Sequence, residues 1–438
     1  MLSNFKKHIE TQFHSLQQAR LLIAVSGGID SMVLVDLCNQ LKLNFAIAHC
    51  NFKLRGIHSD ADEKFILETA EKINKKAFVK HFKTEVYARE HHLSIQMAAR
   101  NLRYDWFFEL SNSLNFDYIL TAHHADDKLE TFLINLSRGS GLEGLTGIPE
   151  RNKNVIRPML NFSRSEIETY AISNSIEWRE DQSNTDIKYL RNKIRHEIVP
   201  KLKELHPQFL DNFMKTQQYL DGSSKIIAEE IKELKSILFN KEEEIIKIPI
   251  GQLKGLLPLK AYIYELFKDF GFTEWNDVIK LLDANSGKQI ISATHRMLKD
   301  RSFILIDKIK TDDHDTKKEF LIQESDHQIT EPLSLSFEPT KTIDEKNKRV
   351  IYLDKEKLNF PLIVRKWVKG DYFYPFGLKG KKKLSKFFKD EKVSLIAKER
   401  QWLLCSGNDI VWVIGKRADE RFKVTSQTDQ ILKVKIEK

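Results

Sequence analysis

The sequence predicts an α/β chain: a parallel sheet wrapped by helices at the N-terminus, then a helical middle domain and a small α+β C-terminal domain. Three observations carry this. Short apolar runs alternate with amphipathic stretches from Leu21 to Leu136. Those runs are apolar almost throughout, as strands covered on both faces must be. Beyond Phe209 the pattern turns to long charged helices, and beyond Val350 to short strands, Gly/Pro turns and a lysine-rich run.

Taken in order, residues 1–20 hold lysines and Glu10 without an apolar block, which reads as a short lead-in helix and not a secretory signal. Residues 21–25 read as a strand and 32–41 as a helix. A strand at 45–49 and an amphipathic helix at 61–73 follow, then a short apolar segment at 78–82. A long helix is expected over 95–114, a strand over 118–121 and a helix over 126–136. Such sheets take ligands at the carboxyl ends of their strands, where the strand order reverses. Three polar stretches fall at those ends: 26–31, 49–55 and 122–127. The domain limits expected are 1–215 for the catalytic domain, 216–310 for the mainly helical one, 311–345 for a charged linker beginning near "KTDDHDTKKEF", and 346–438 for a basic C-terminal domain.

The 438 residues are 41% hydrophobic and 30% charged, an ordinary globular composition with no apolar run long enough to span a membrane. Cys38, Cys50 and Cys405 are far apart and form no C-x-x-C pair. This argues against a disulfide framework, a zinc knuckle, an iron-sulfur cluster or a redox pair, and fits a reducing cytoplasm. The net charge of +9 points to a polyanionic partner, with nucleic acid ahead of membrane surfaces.

The densest signal is "LLIAVSGGIDSMVLVDL", residues 21–37. A strand must turn sharply into a helix there, and Gly27 and Gly28 permit backbone angles closed to other residues. Successive N–H groups at Ser26, Gly27, Gly28, Ile29, Asp30 and Ser31 can then face an anion, helped by the helix N-terminus. A carboxylate beside a phosphate is repulsive unless a cation lies between, so Asp30 suggests a Mg²⁺ ligand. No lysine follows the glycines, unlike the loops that hold a triphosphate for γ-phosphoryl transfer.

The second signal is "TAHHADDKLETFLINLSRGSGLEGLTGI", residues 121–148. Asp126, Asp127 and Glu130 open a helix, and Asp127 and Glu130, three apart, share a face. One acid there is usually a cap; three at a strand's carboxyl end can hold a metal or a cationic amine. Arg138 with Gly139, Gly141 and Gly144 forms a glycine-rich exit. Arg100 with Arg103, and Arg191 with Arg195, lie at helical spacings that suit phosphate contacts. Trp106, Phe107 and Phe108 read as core, and His123 and His124 as structural. Lys381, Lys382 and Lys383, in a run with Lys379, Lys386 and Lys389 beside aromatics, suit a phosphate backbone.

"SGGIDS" resembles the signature of the N-type ATP pyrophosphatases, the PP-loop enzymes, which cleave ATP between its α and β phosphates and adenylate a substrate oxygen. Further segments are similar to the tRNA(Ile)-lysidine synthetase branch of that superfamily: "MAARNLRYDWF" at 97–107, "VIRPML" at 155–160, "WREDQSNTDIKYLRNKIRHEIVP" at 178–200, and two stretches within the last 75 or so residues. The resemblance implies ATP and Mg²⁺ as co-substrates. It implies adenylation of C2 of the wobble cytidine in tRNA(Ile) with a CAU anticodon, then attack by the ε-amine of free L-lysine. On that reading Asp30, Asp127, Glu130 and Arg191 are catalytic, and Asp126, Asp127 and Glu130 bind lysine. Arg100, Arg103, Arg138, Arg195 and Lys381 to Lys383 contact phosphates of ATP or tRNA. No obligate protein partner is expected, and homodimerisation is left open. A PP-loop thiolase is the nearest rival, weakened by the scattered cysteines. An amidating enzyme would need an ammonia source for which no signature is present. A catalytically dead tRNA-binding module sits poorly with two intact motifs.

Overall fold

The computed structural model describes residues 1–179, 190–309, 319–345 and 347–437. The "EDQSN" stretch and the charged run 310–318 lie outside these. The chain divides into two compact units, Met1–Glu229 and Glu230–Lys438.

The first unit is built on a six-stranded sheet. Its strands are β1 (Leu21–Ala24), β2 (Phe45–Asn51), β3 (Ala77–His81), β4 (Tyr118–Leu120), β5 (Arg151–Asn152) and β6 (Val155–Ile156), in spatial order 3-2-1-4-6-5. All pairs are parallel except β5 with β6. The order reverses at β1, which has β2 on one side and β4 on the other, so the carboxyl ends of β1 and β4 are the ligand-binding position of this topology. Leu21, Leu22 and Ile23 are fully buried, as a central strand covered on both faces requires. Truncating any one of them to Ala should cost about 2–5 kcal/mol.

Helices cover both faces. They are α1 (Leu2–Gln12), α2 (Ile29–Gln40), α3 (Ile57–Lys72), α4 (Thr84–Glu90), α5 (Ile95–Leu114), α6 (Ala125–Ser137), α7 (Leu142–Leu145) and α8 (Arg164–Ser173). One face packs α1, α2, α3 and α8 around Ile23, Leu34, Ile47, Ile66 and Ile167. The other packs Trp106 and Phe107 of α5 against Leu22, Ala46, Ala48 and Ile119. Ser94 caps α5 by accepting from Met97 N–H, and Asn115 ends it in the left-handed region at φ 54°. The unit continues through α9 (Leu190–Lys193), a π-turn at Ile194–Ile198, α10 (Val199–Leu205) and the start of α11 (Phe209–Leu238).

In the second unit helices are prominent up to Leu281, as expected. They are joined by an antiparallel five-stranded sheet, residues 240–308, that the sequence pattern did not reveal. The expected linker 311–345 needs correction. Phe320–Ile322 pairs with Leu362–Lys366, and Leu335–Thr340 pairs with Ile431–Ile436. Ile322, Leu335 and Phe337 are core residues of the C-terminal domain. Their strands are short and set among charged and turn residues, so composition hid them.

Candidate active site

At the end of β1 the chain passes through Val25 into the glycine turn. Gly27 has φ +89°, a left-handed geometry that a side chain would strain. Ser31 Oγ donates to Gly28 O at 2.9 Å and accepts from Ser26 N–H at 3.3 Å, closing the loop on itself. Helix α2 starts at Ile29 with Gly28 as N-cap and no side-chain cap. Its first-turn N–H groups are therefore left for an external anion.

At the end of β4, His124 is the N-cap of α6, in a reciprocal capping box with Asp127. His124 N–H donates to Asp127 Oδ2 at 3.1 Å, and its ring accepts from Asp127 N–H at 3.4 Å. The ring's Nε2 then lies 3.4 Å from Asp127 Oδ2 and 3.7 Å from Asp30 Oδ1, placing one histidine between the two motifs.

Between the two strand ends lies a cavity of about 240 Å³. Ser26, Asp30, Ser31, Thr121, His123, Asp127 and Arg191 form its polar side, and Cys50, Phe52, Tyr104 and Phe107 its apolar side, with Arg103 over the Phe52 ring at 5.4 Å. Burial pushes the His123 imidazole down to about 4 and the Cys50 thiol up to about 12, so both are neutral at physiological pH.

The geometry separates the three acids expected to share one amine pocket. Asp127 alone lines the cavity. Burial works to raise its carboxyl, but His124, His123 and Arg195 outweigh this and hold it below the usual aspartate range. Asp126 turns away: it accepts from Arg164 N–H at 2.8 Å and pairs with Lys203. Glu130 has a side chain 1% exposed. Arg195 grips it through Nε at 2.6 Å and Nη2 at 3.0 Å, and Arg191 Nε lies 3.2 Å away. Burial, aided by the charge of Asp127, pushes the Glu130 carboxyl up despite these arginines.

Among the arginines, Arg103 and Arg191 reach the cavity, and Arg195 stands behind it with Nη2 3.2 Å from Asp127. Arg100 and Arg138 are exposed and line no part of it; Arg100 lies over the Tyr104 ring at 5.1 Å. Lys381, Lys382 and Lys383 belong to the second unit, where Lys382 pairs with Asp390 at 2.7 Å and Lys381 lies over Tyr372 at 4.5 Å.

Asp30 is tied to Arg164 through Nη1. Among the described residues no group of three metal-ligating side chains converges. Mg²⁺ is often held by one or two carboxylates together with substrate phosphates, and Asp30 on the cavity fits an ion that arrives with a triphosphate. Sequence reasoning missed Arg164, which joins Asp30 and Asp126 from α8, and undervalued His124. The capping box Ser163–Glu166 marks where α8 begins and was the available signal for the first.

Family models match the chain in three places: a PP-loop domain over residues 1–202, a TilS substrate binding domain over 241–309, and a TilS substrate C-terminal domain over 362–435. A curated tRNA(Ile)-lysidine synthase of Parabacteroides distasonis is 39% identical, with 99% of each chain aligned. Those of Bacteroides thetaiotaomicron and Porphyromonas gingivalis are 36% and 34% identical, covering 98% and 93% of this chain and 98% and 92% of their own.

Proposed function

Because the chain belongs to the tRNA(Ile)-lysidine synthase family, we propose that it ligates free L-lysine to C2 of the wobble cytidine of CAU-anticodon tRNA(Ile), using ATP. The observation that carries this is the single cavity in which the glycine turn, Asp127 and Arg191 meet at the carboxyl ends of β1 and β4. The C2 oxygen of cytidine attacks the α-phosphorus of ATP, and pyrophosphate leaves. The lysine ε-amine then attacks C2, and AMP leaves with the oxygen.

Ser26, Ser31 and the first-turn N–H groups of α2 bind the departing pyrophosphate. Asp30 holds Mg²⁺, which when bound neutralises phosphate charge. Asp127, ionised and facing the cavity, receives the lysine ammonium and is placed to take its proton, since only the neutral amine attacks. Glu130 orients Arg195 and Arg191, and Arg191, which lines the cavity, faces the charge that develops on the phosphates. Asp126 fixes Arg164 and, through it, Asp30. Arg103 and Phe52 offer a cation and a ring face to a nucleobase, which must leave its stack to be modified. Lys381 and Lys383 contact the tRNA backbone, with Arg100 and Arg138 adding exposed positive charge.

The reaction is tested by measuring AMP and pyrophosphate release while omitting each substrate in turn. AMP should be released in step with lysine consumed and require both tRNA(Ile) and lysine. Steady AMP release without lysine, or with sulfide as the nucleophile, would favour the thiolase reading.

A further inference from the structure

We infer that Asp62 and Arg179, with Arg55, form a clamp that sets the Gly27–Gly28 peptide for phosphate binding; this rests on the proposed role of the glycine turn in binding ATP. None of the three lines the cavity. Asp62, on α3, is 7% exposed. Its two oxygens are shared between two guanidinium groups: Arg55 Nη2 at 2.9 Å and Arg179 Nε at 2.5 Å. A carboxylate this buried is retained at a cost unless its partners are well placed, and here both are. Arg179 is thereby fixed, and its backbone N–H donates to Gly27 O at 3.0 Å.

That hydrogen bond has a directional effect. In a trans peptide the carbonyl and the following N–H point to opposite sides. With Gly27 O turned toward Arg179, Gly28 N–H faces the other way, where it meets Ser26 Oγ at a long 3.4 Å. Ser26 and Ser31 line the cavity, so Gly28 N–H lies on the phosphate side of the loop. The φ of +89° at Gly27 permits this orientation but does not select it. The clamp selects it, bridging residues 27, 55, 62 and 179 that are distant in sequence. Asp62, Arg179 and Arg55 are therefore positioning residues that act through a backbone peptide.

The test measures binding of α,β-methylene ATP and of inorganic pyrophosphate to the full-length chain by calorimetry, independently of lysine transfer. Asp62→Asn and Arg179→Met should each weaken both ligands roughly tenfold, the loss of about one hydrogen bond to a charged group. The double variant should be no weaker than the poorer single one, since both break one chain of contacts. The Michaelis constant for lysine should stay unchanged, which general damage to the fold would not allow. Arg179→Lys, retaining a cation for Asp62, should recover most of the binding. If Asp62→Asn folds poorly, the Arg179 pair carries the test alone, because that side chain is 38% exposed. Wild-type affinity in Arg179→Met, or multiplicative losses in the double variant, would overturn the clamp. Tight nucleotide binding without lysidine formation would instead overturn the proposed reaction and leave the clamp standing.

Discussion

Replacing Asp127 with Asn removes one charge from the cavity and the ion pair with Arg195, which keeps its two contacts to Glu130. Asn can still accept from His124 N–H, now 3.1 Å from the carboxylate, so the capping box of α6 survives. A lost cap would cost about 1 kcal/mol, and that cost is avoided here. What disappears is the anionic partner of the lysine ammonium. A hydrogen bond to a charged group contributes about 1.5–3 kcal/mol, which corresponds to roughly 10–150-fold in affinity. Asp127 has a side chain only 14% exposed, so water screens it little, while Asp30 keeps some negative potential on the same cavity. The lower half of the range is therefore expected: about 10–50-fold in the Michaelis constant for lysine. The assay is a lysine titration at saturating ATP and tRNA, beside a single-turnover measurement of tRNA adenylation without lysine. Adenylation should be nearly unaffected. An unchanged lysine constant together with lost adenylation would refute the amine-binding role and place Asp127 on the nucleotide.

Other perturbations have equally direct readouts. Glu130→Ala strands Arg195, and breaking a buried pair costs about 3–5 kcal/mol; Arg195 is 33% exposed and keeps Asp127, so about 2–3 kcal/mol is expected, seen as a thermal midpoint lowered by roughly 4–12 °C. Gly27→Ala meets only ordinary contacts, the nearest being Ile66 Cδ1 at 3.6 Å, so its cost is the φ of +89°: about 1–2 kcal/mol, appearing mainly as weaker ATP binding. Asp127 has a depressed pKa in the folded chain, so its stabilisation is present above the unfolded value of about 3.9 and lost as pH falls through the folded one. In acid unfolding, Asp127→Asn should thus lose less stability than wild type below about pH 4. Replacing Lys381, Lys382 and Lys383 by Ala should reduce the salt dependence of tRNA binding by about two phosphate contacts, not three, because Lys382 is engaged by Asp390; an unchanged slope would remove this surface from the tRNA interface.

What the sequence made legible follows from period and length. Helix α5 spans 20 residues with a capping serine, and it forms over the residues expected. Strands β1, β2 and β4 were visible as apolar runs, and the turn after β1 as a glycine pair. Strands β5 and β6 have two residues each, too few for any periodicity. The strand at 245–249 follows the polar run "NKEEE", three acids after Asn240 and Lys241, which masked it. At the site, residue types pointed to the right strand ends but not to the pairings. Asp30 with Arg164, and Asp62 with Arg179, are separated by 134 and 117 residues, and only the folded sheet brings them together. Asp126, Asp127 and Glu130 looked equivalent in sequence because helical spacing gives a face and not a partner. Their neighbours from α8, α10 and the π-turn determine which one meets the cavity.

The most direct test is to incubate the purified protein with ATP, Mg²⁺ and labelled lysine, offering it isoleucine and elongator methionine tRNAs that both carry CAU. Nuclease digestion and mass spectrometry then locate the label. The expected result is lysidine at the wobble position of the isoleucine tRNA alone. Absence of label from that nucleotide, with AMP still formed and another nucleophile attached, would contradict lysine transfer while leaving an ATP-cleaving PP-loop in place.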